Sequence, residues 1–177
     1  MTRPSLVLFA SMLSAAGVLA ACTETTKPPV SRTPTAADSA EQIMTEVVTT
    51  LFQKGLRRGE LFADTAYTFD EQTRLVFRNP RVNFNTEKGA PNGALRADRG
   101  HLNLRTQIFE GFGNVVITST DGKRLSSPQV RYNQLANEIS SDTTFEVVQG
   151  DRVQRGIGFT ADPNITRWSC KRSCSGS

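Results

Sequence analysis

The sequence has little of the chemistry that most enzyme classes require. It contains one histidine and three cysteines, and it has no Gly-x-Ser-x-Gly element. With no second histidine, a hydrolase triad has little support. We expect the single imidazole, His101, to lie on the surface of a strand. The sequence therefore predicts a protein that is not an enzyme and that needs no cofactor.

Only one long apolar run is present, and it lies at the N terminus. Residues 5–20 follow Arg3, are apolar or small throughout, and are short for a membrane span, which is typical of a secretory signal. The run ends in Leu19-Ala20-Ala21-Cys22, which resembles the lipobox of bacterial lipoproteins. The alternative is an ordinary signal with a cysteine there by chance. We predict a signal peptide over residues 1–21, lipid attachment at Cys22, and a flexible Pro- and Thr-rich tether over residues 22–40.

The chain also lacks a long run of basic residues. Its net charge is +4 and its pI about 9.3, but Lys and Arg are scattered along the sequence. The simplest interpretation is a solvated surface, and the alternative is attraction to anionic headgroups or phosphorylated sugars. For an exported, membrane-anchored protein we expect no nucleic-acid partner.

Helical periodicity is absent from residue 43 onward, and apolar residues alternate with polar ones instead. Short alternating segments are separated by turn signals, which predicts an all-β domain over residues 41–168. We expect the first strand at residues 44–52, with a helical turn before it as an alternative for part of residues 36–50. The predicted turns are Lys88-Gly89, Asn92-Gly93, Asp121-Gly122 and Gln149-Gly150.

One pattern returns about every thirty residues. Leu61, Leu95, Leu125 and Phe159 are spaced by 34, 30 and 34 residues, and all but the third are followed within a few positions by Ala-Asp. Such a period predicts stacked strand units that share one apolar interior.

The Ala-Asp steps place a small residue on one face of each unit and a carboxylate on the other. We expect Asp64 and Asp98 to face water and to discourage pairing at strand edges. Paired carboxylates could also be imagined for glycoside cleavage, but their equivalent positions in a repeat favour a structural role. Small inward residues indicate either closely packed sheets or a groove that is open for a guest; these residues are Ala63, Ala97 and Ala161.

The segment GNVVITSTDGKRLSSPQVRYNQLANEISSD, residues 113–142, closely resembles the LptC family of lipopolysaccharide transport proteins. The upstream GLRRGELFADTAY and the downstream GIGFTAD fit the same family pattern. The resemblance implies an open, twisted β-jellyroll of antiparallel strands, in which acyl chains of lipopolysaccharide or a similar glycolipid occupy an apolar groove. It also implies strand-edge pairing with the jellyroll domain of the inner-membrane Lpt transporter and with an LptA-like bridge protein.

We therefore expect a periplasmic lipid carrier that is anchored by lipid to the inner rather than the outer membrane. A structural or adhesive lipoprotein with a closed β-core is the alternative. The sequence does not separate groove residues from plain core, and the candidate lining comprises Leu75, Phe77, Val82, Phe84, Leu95, Ile108, Val115, Ile117, Tyr132, Ile139, Phe145, Val147 and Phe159.

Two cysteines lie in the segment 169–177, a C-terminal tail beyond the family pattern. Cys170 and Cys174 are too far apart for a disulfide on a regular strand, so a bridge requires a turn between them. Free or intermolecular thiols are the alternative. A zinc site is not expected, because two thiols and one imidazole do not complete its ligand set.

Overall fold

The computed structural model describes residues 36–176, so the predicted signal peptide, Cys22 and most of the predicted tether lie outside the described residues. The described part consists almost entirely of strands, which confirms the all-β prediction. In chain order the elements are α1 (Ala36–Ser39), β1 (Gln42–Gln53), β2 (Leu56–Phe69), β3 (Arg74–Arg78), β4 (Arg81–Asn85), β5 (Pro91–Arg96), β6 (Arg99–Asn103), β7 (Ile108–Thr118), β8 (Arg124–Asn133), β9 (Glu138–Gln149), β10 (Arg152–Ala161) and β11 (Trp168–Gly176).

The strands form one antiparallel ladder that starts at β1 and ends at β11. β3 and β4 share one position in this ladder, because both pair with β2. β5 and β6 share the next position, because both pair with β7. The predicted domain ends at residue 168, whereas the structure continues the sheet through β11, which pairs with β10.

Bends in the strands divide the ladder into two half-sheets that face each other. Half-sheet A contains β3 and β6, half-sheet B contains β4 and β5, and the longer strands run through both. Phe84 of β4 contacts Tyr132 of β8 with ring centroids 4.9 Å apart, although these two strands are not paired. This contact crosses the space between the half-sheets, and the buried apolar side chains of both halves form one core.

The row of bends, which we call the fold line, is held by side-chain amides and carboxylates. Asn79 donates from Nδ2 to Asp64 Oδ2 at 2.7 Å, and Asn114 donates to Asp98 Oδ2 at 2.8 Å. Both asparagines have a positive φ, 50° and 43°, which asparagine adopts more readily than most residues. The carboxylate of each of these two Ala-Asp steps therefore accepts a hydrogen bond from the asparagine at the next bend.

These contacts revise the predicted role of the aspartates. Asp64 and Asp98 are exposed, which confirms that they face water. However, β2 has a partner on each side, so Asp64 does not lie at an edge of the sheet. The carboxylates stabilise the bends of neighbouring strands instead.

The third repeat unit, which lacks Ala-Asp, uses hydroxyl groups at the same fold line. Ser127 Oγ donates to the Thr144 carbonyl at 2.9 Å, and Ser141 Oγ donates to the Gln129 carbonyl at 2.7 Å. The β8–β9 register shifts between Ser126 and Arg131, so these hydroxyls pair backbone groups that the ladder leaves free.

Three of the four predicted turns are confirmed, at Lys88-Gly89, Asp121-Gly122 and Gln149-Gly150. The prediction at Asn92-Gly93 is wrong, because both residues lie within β5. Gly93 has φ 113°, and a Cβ added to it would lie 2.5 Å from the Pro163 carbonyl oxygen. Glycine is therefore required there by the close approach of another loop rather than by a turn.

We predict that Asn79→Ala and Asn114→Ala each lower the free energy of unfolding by about 1–2 kcal/mol, through the lost hydrogen bond and the strain of a positive φ. Asn79→Gly should cost less, because glycine tolerates this φ. Chemical denaturation measures both effects, with Asn83→Ala at an exposed position of strand β4 as the control. Wild-type stability in both alanine variants would contradict this account of the fold line.

Candidate functional site

The candidate lining residues come together in the space between the two half-sheets. Eleven of the thirteen are buried members of the single core, with exposed fractions of 5% or less. Leu75 is half-buried and packs against this core. The interior is therefore apolar, is contributed by both half-sheets, and is filled by its own side chains; the eleven buried residues are Phe77, Val82, Phe84, Leu95, Val115, Ile117, Tyr132, Ile139, Phe145, Val147 and Phe159.

Ile108 is the one candidate that the structure does not bring into the core. It is half-buried, whereas its neighbour Phe109 is fully buried. Counting back in twos from Val115, which faces inward, leads to Phe109 and not to Ile108. The alternation in β7 therefore contained the signal that identifies the inward residue.

Small residues lie where the half-sheets converge. Ala63, Ala97 and Ala161 are all buried in the core. A Cβ added to Gly111 would lie 3.3 Å from the Ala97 Cβ, which is tighter than an ordinary contact. Ala97, which follows β5, therefore allows close packing against β7 beside the fold line. Any wider space between the half-sheets must lie farther from the fold line.

Away from the fold line, the interior is bounded by two rows of turns. Rim A contains the turns after β2, β6, β8 and β10, and rim B contains the turns after β1, β4, β7 and β9. Gln53 in rim B donates from Nε2 to the Leu135 carbonyl in rim A at 2.7 Å. Thr120 in rim B donates its backbone N–H to Asn164 Oδ1 in rim A at 2.8 Å. These polar contacts join the two rims on the side opposite the fold line.

Ile165 closes part of the same side with an apolar side chain. It lies in the turn between β10 and β11, has φ 53°, and is fully buried in the core. Sequence reasoning missed this residue because it follows Asn164 in a segment with turn composition. Asn164 holds the turn against rim B, which places the Ile165 side chain inside.

A buried arginine on β2 was also missed. Arg58 is 8% exposed and lies near Tyr132, on whose phenol its charge acts. The sequence LRRG offers no signal for an inward arginine, since the neighbouring Arg57 is exposed and pairs with Glu60.

Four exposed arginines lie on the outer face beside the fold line. Arg78 pairs in register with Arg99, and Arg81 pairs with Arg96 on the other side of the bend. All four are exposed, and none takes part in an ion pair within residues 36–176. Like charges directly opposite each other destabilise a sheet, and the exposed carboxylates of Asp64 and Asp98 lie at the same bends as these arginines.

His101 lies on strand β6, as predicted, but is half-buried rather than free on the surface. Its ring packs against Phe112 with centroids 5.0 Å apart. Burial lowers the pKa of the imidazole, and Arg74 and Arg99 add to this effect while Glu110 opposes it. The side chain is therefore neutral near pH 7 and acts as a packing residue.

The remaining carboxylates of the repeat are occupied by structural contacts. Asp142 accepts a hydrogen bond from Lys171 Nζ at 2.9 Å, and this ammonium group lowers the pKa of the carboxyl. Asp162 accepts from the Arg167 backbone N–H at 2.6 Å. Within the described range no group of three His, Cys, Asp or Glu residues could hold a metal ion.

A disulfide joins Cys170 and Cys174 on strand β11, with their Cα atoms 6.1 Å apart. The sequence predicts that a bridge requires a turn between them. The structure has a bulge instead: the β10–β11 register shifts between Arg155 and Ile157, and Ser173 has φ 50°. A bulge shortens the strand enough for the two side chains to meet.

No helix in the described residues has the length and hydropathy to cross a bilayer. The anchoring predicted at Cys22 therefore concerns a part of the chain that lies outside the described residues.

Comparison with known proteins supplies a family and a fold. The LptC family, described as "Lipopolysaccharide-assembly, LptC-related", matches residues 6–165. No curated protein matches the sequence. Among solved structures, this chain is similar to LptH of Pseudomonas aeruginosa, the LptA-homologous periplasmic component of the lipopolysaccharide transport device. The TM-score is 0.50 at 16% identity, over 64% of this chain and 81% of that chain. This likeness confirms the predicted jellyroll fold.

Tyr132 provides a pH test of the closed interior. Burial raises the pKa of its phenol from 10.0 to about 12, although the Arg58 charge opposes the rise. The phenol of the unfolded chain ionises first, so Tyr132 stabilises the fold below pH 10, and this contribution is lost as the pH rises toward 12. We expect the unfolding free energy of wild type to fall by about 2 kcal/mol more than that of Tyr132→Phe between pH 10 and 12. Parallel curves for the two proteins in denaturant titrations would contradict a buried phenol.

Proposed function

The chain belongs to the LptC-related family of lipopolysaccharide-assembly proteins, and on this premise we propose that it accepts lipopolysaccharide from an inner-membrane transporter and passes it to a periplasmic bridge protein. Membership of the family already makes it a periplasmic transport component without catalytic activity. The handoff itself is our proposal. The observation that carries it is the apolar interior between two half-sheets whose rims are joined by a few polar contacts.

The interior offers acyl chains an apolar surface, which water does not. Its wall is formed by large apolar side chains from both half-sheets, including Phe77, Phe84 and Phe109. Each methylene buried there contributes roughly 0.8 kcal/mol. Several acyl chains can therefore replace the contacts that the two half-sheets make with each other.

Entry of the chains requires the rims to separate. The contacts from Gln53 to Leu135 and from Thr120 to Asn164 are exposed hydrogen bonds, each contributing about 1 kcal/mol. Breaking them costs little compared with the burial of acyl chains. The fold line, with its paired Asp and Asn side chains, serves as the fixed side of this opening.

Two free strand edges support contact with neighbouring proteins. Within the described residues, β1 pairs only with β2, and β11 pairs only with β10. Their outer edges carry unpaired backbone groups that a strand of another jellyroll can use. We propose that the transporter's jellyroll domain uses one edge and an LptA-like bridge protein the other, so that the apolar interiors align.

The anchor is part of the proposal. Lipid attached to Cys22 would hold the domain at the periplasmic face of the inner membrane, and residues 22–40 would give it reach. This arrangement keeps the domain close to a transporter that delivers lipid from the same membrane.

A second function is favoured by one observation. The predicted lining is almost completely buried, as a closed β-core would be. A structural or adhesive lipoprotein that carries no lipid would have this interior permanently. The two functions differ in whether the rims open.

Cross-linking the rims should block lipid uptake. In a Gln53→Cys, Leu135→Cys variant, a flexible bis-maleimide joins rim B to rim A and leaves the native disulfide intact. We expect the treated protein to bind no purified lipopolysaccharide in native mass spectrometry, while the untreated variant binds like wild type. Thr118→Cys with Arg124→Cys is the control, because these exposed residues face each other across one hairpin and do not join the rims.

The outcomes separate the two functions. Unchanged uptake after rim cross-linking would refute entry between the rims. Failure of the wild-type protein to bind any lipopolysaccharide would favour the closed-core lipoprotein.

Replacing Cys22 tests the anchor. We expect Cys22→Ala to lose incorporation of a radioactive fatty acid and to leave the membrane fraction, because the thiol is the proposed attachment point. Cys170→Ala with Cys174→Ala is the control and should keep the label. A wild-type protein without label would indicate an ordinary signal peptide.

A further inference from the structure

Arg58 is a buried cation with too few partners. Its Nε and Nη1 atoms are buried and make no hydrogen bond within the described residues. The one carboxylate within ion-pair distance is that of Glu87, with Oε1 3.3 Å from Nη1. The Glu87 side chain is 73% exposed, so most of its charge is solvated. A buried charge without full pairing destabilises the fold, a cost that an ordinary surface arginine avoids.

The backbone conformation of β2 directs the Arg58 side chain inward. In the pairing of β1 with β2, Leu51 lies opposite Gly59 and Phe52 opposite Arg57, which leaves Arg58 without a partner in a bulge. Bulges redirect a side chain, and they are frequent next to functional sites. Gly59 fixes the bulge against β4, because a Cβ added there would lie 2.3 Å from the Asn83 carbonyl oxygen. The neighbouring Arg57 remains exposed at 53% of its side chain.

Arg58 lies where the apolar interior meets rim B. It follows the turn between β1 and β2, and Glu87 belongs to the turn between β4 and β5. Its charge acts on the phenol of Tyr132, whose ring packs edge-on against Phe84. The guanidinium therefore stands at the boundary between the aromatic interior and the solvent.

We propose that Arg58 binds a phosphate group on the headgroup of the carried glycolipid, an inference that rests on the proposed carrier function. An amphiphile whose acyl chains enter the interior must leave its headgroup at the rim. A guanidinium binds a phosphate with charge-assisted N–H···O bonds, and the Nε and Nη1 donors, which lack a hydrogen-bond acceptor, are available for such bonds. Glu87 occupies the cation until a phosphate displaces it, and its exposed side chain can then turn to solvent.

Binding of matched lipids to the full-length protein tests this inference. The probes are a bisphosphorylated lipid A and the same acylated disaccharide without phosphate, with affinities measured by native mass spectrometry. We expect wild type to prefer the phosphorylated lipid about tenfold, which corresponds to about 1.4 kcal/mol of binding free energy. Arg58→Gln should lose this preference and keep its affinity for the lipid without phosphate. Glu87→Gln should strengthen the preference by removing the competing carboxylate.

The control variant is Arg57→Gln, which removes an equal charge one residue away and should keep the preference. Thermal unfolding adds an independent readout: Arg58→Gln should melt at or above the wild-type temperature, since it removes an uncompensated buried charge. A clear loss of melting temperature would assign Arg58 to the core structure and overturn the inference.

The remaining outcomes are decisive as well. Equal preference in wild type and Arg58→Gln would overturn the phosphate site and leave the carrier function standing. Binding of neither lipid by wild type would overturn both. Stabilisation by inorganic phosphate alone that depends on Arg58 would assign the site to free phosphate and overturn the headgroup assignment.

Discussion

The bends at the fold line are the constraint on which the rest of the structure depends. A strand that passes from one half-sheet to the other leaves backbone N–H and C=O groups without ladder partners, and buried groups of this kind have to be paired. Asp64 with Asn79, and Asp98 with Asn114, hold two of these bends from the solvent side. Buried hydroxyls of Ser127 and Ser141 hold the bend of the third unit. The facing half-sheets, the apolar interior and the two rims all follow from these bends.

Most of the fold could be predicted from the sequence because alternation and turn residues act locally. Alternation placed Val115, Ile117, Phe145 and Val147 inside, and all four are buried. The prediction failed at Gly93, since its conformation is set by a loop about seventy residues away in the sequence. Local patterns carry no information on such a distant approach.

The site was less predictable, because bulges decide which side chains face inward. A bulge shifts the alternation of inward and outward side chains by one residue, and the amino-acid composition does not reveal it, as at Arg58 on β2. The same kind of irregularity in β11 brings Cys170 close to Cys174. The filled interior and the polar rim contacts also arise from tertiary packing, which the sequence pattern does not show. The closed form is held together mainly by contacts among the side chains of the two half-sheets.

The number of strands in the ladder also determines how long the domain is along that direction. Its nine strand positions run from β1 to β11, and neighbouring strands lie roughly 4.8 Å apart. The apolar core of one domain therefore extends about 40 Å along the ladder. A longer distance between two membranes has to be divided among several such domains. Within the described residues both end strands have a free edge, and under the proposed carrier function each domain would supply one such length by pairing with its neighbours.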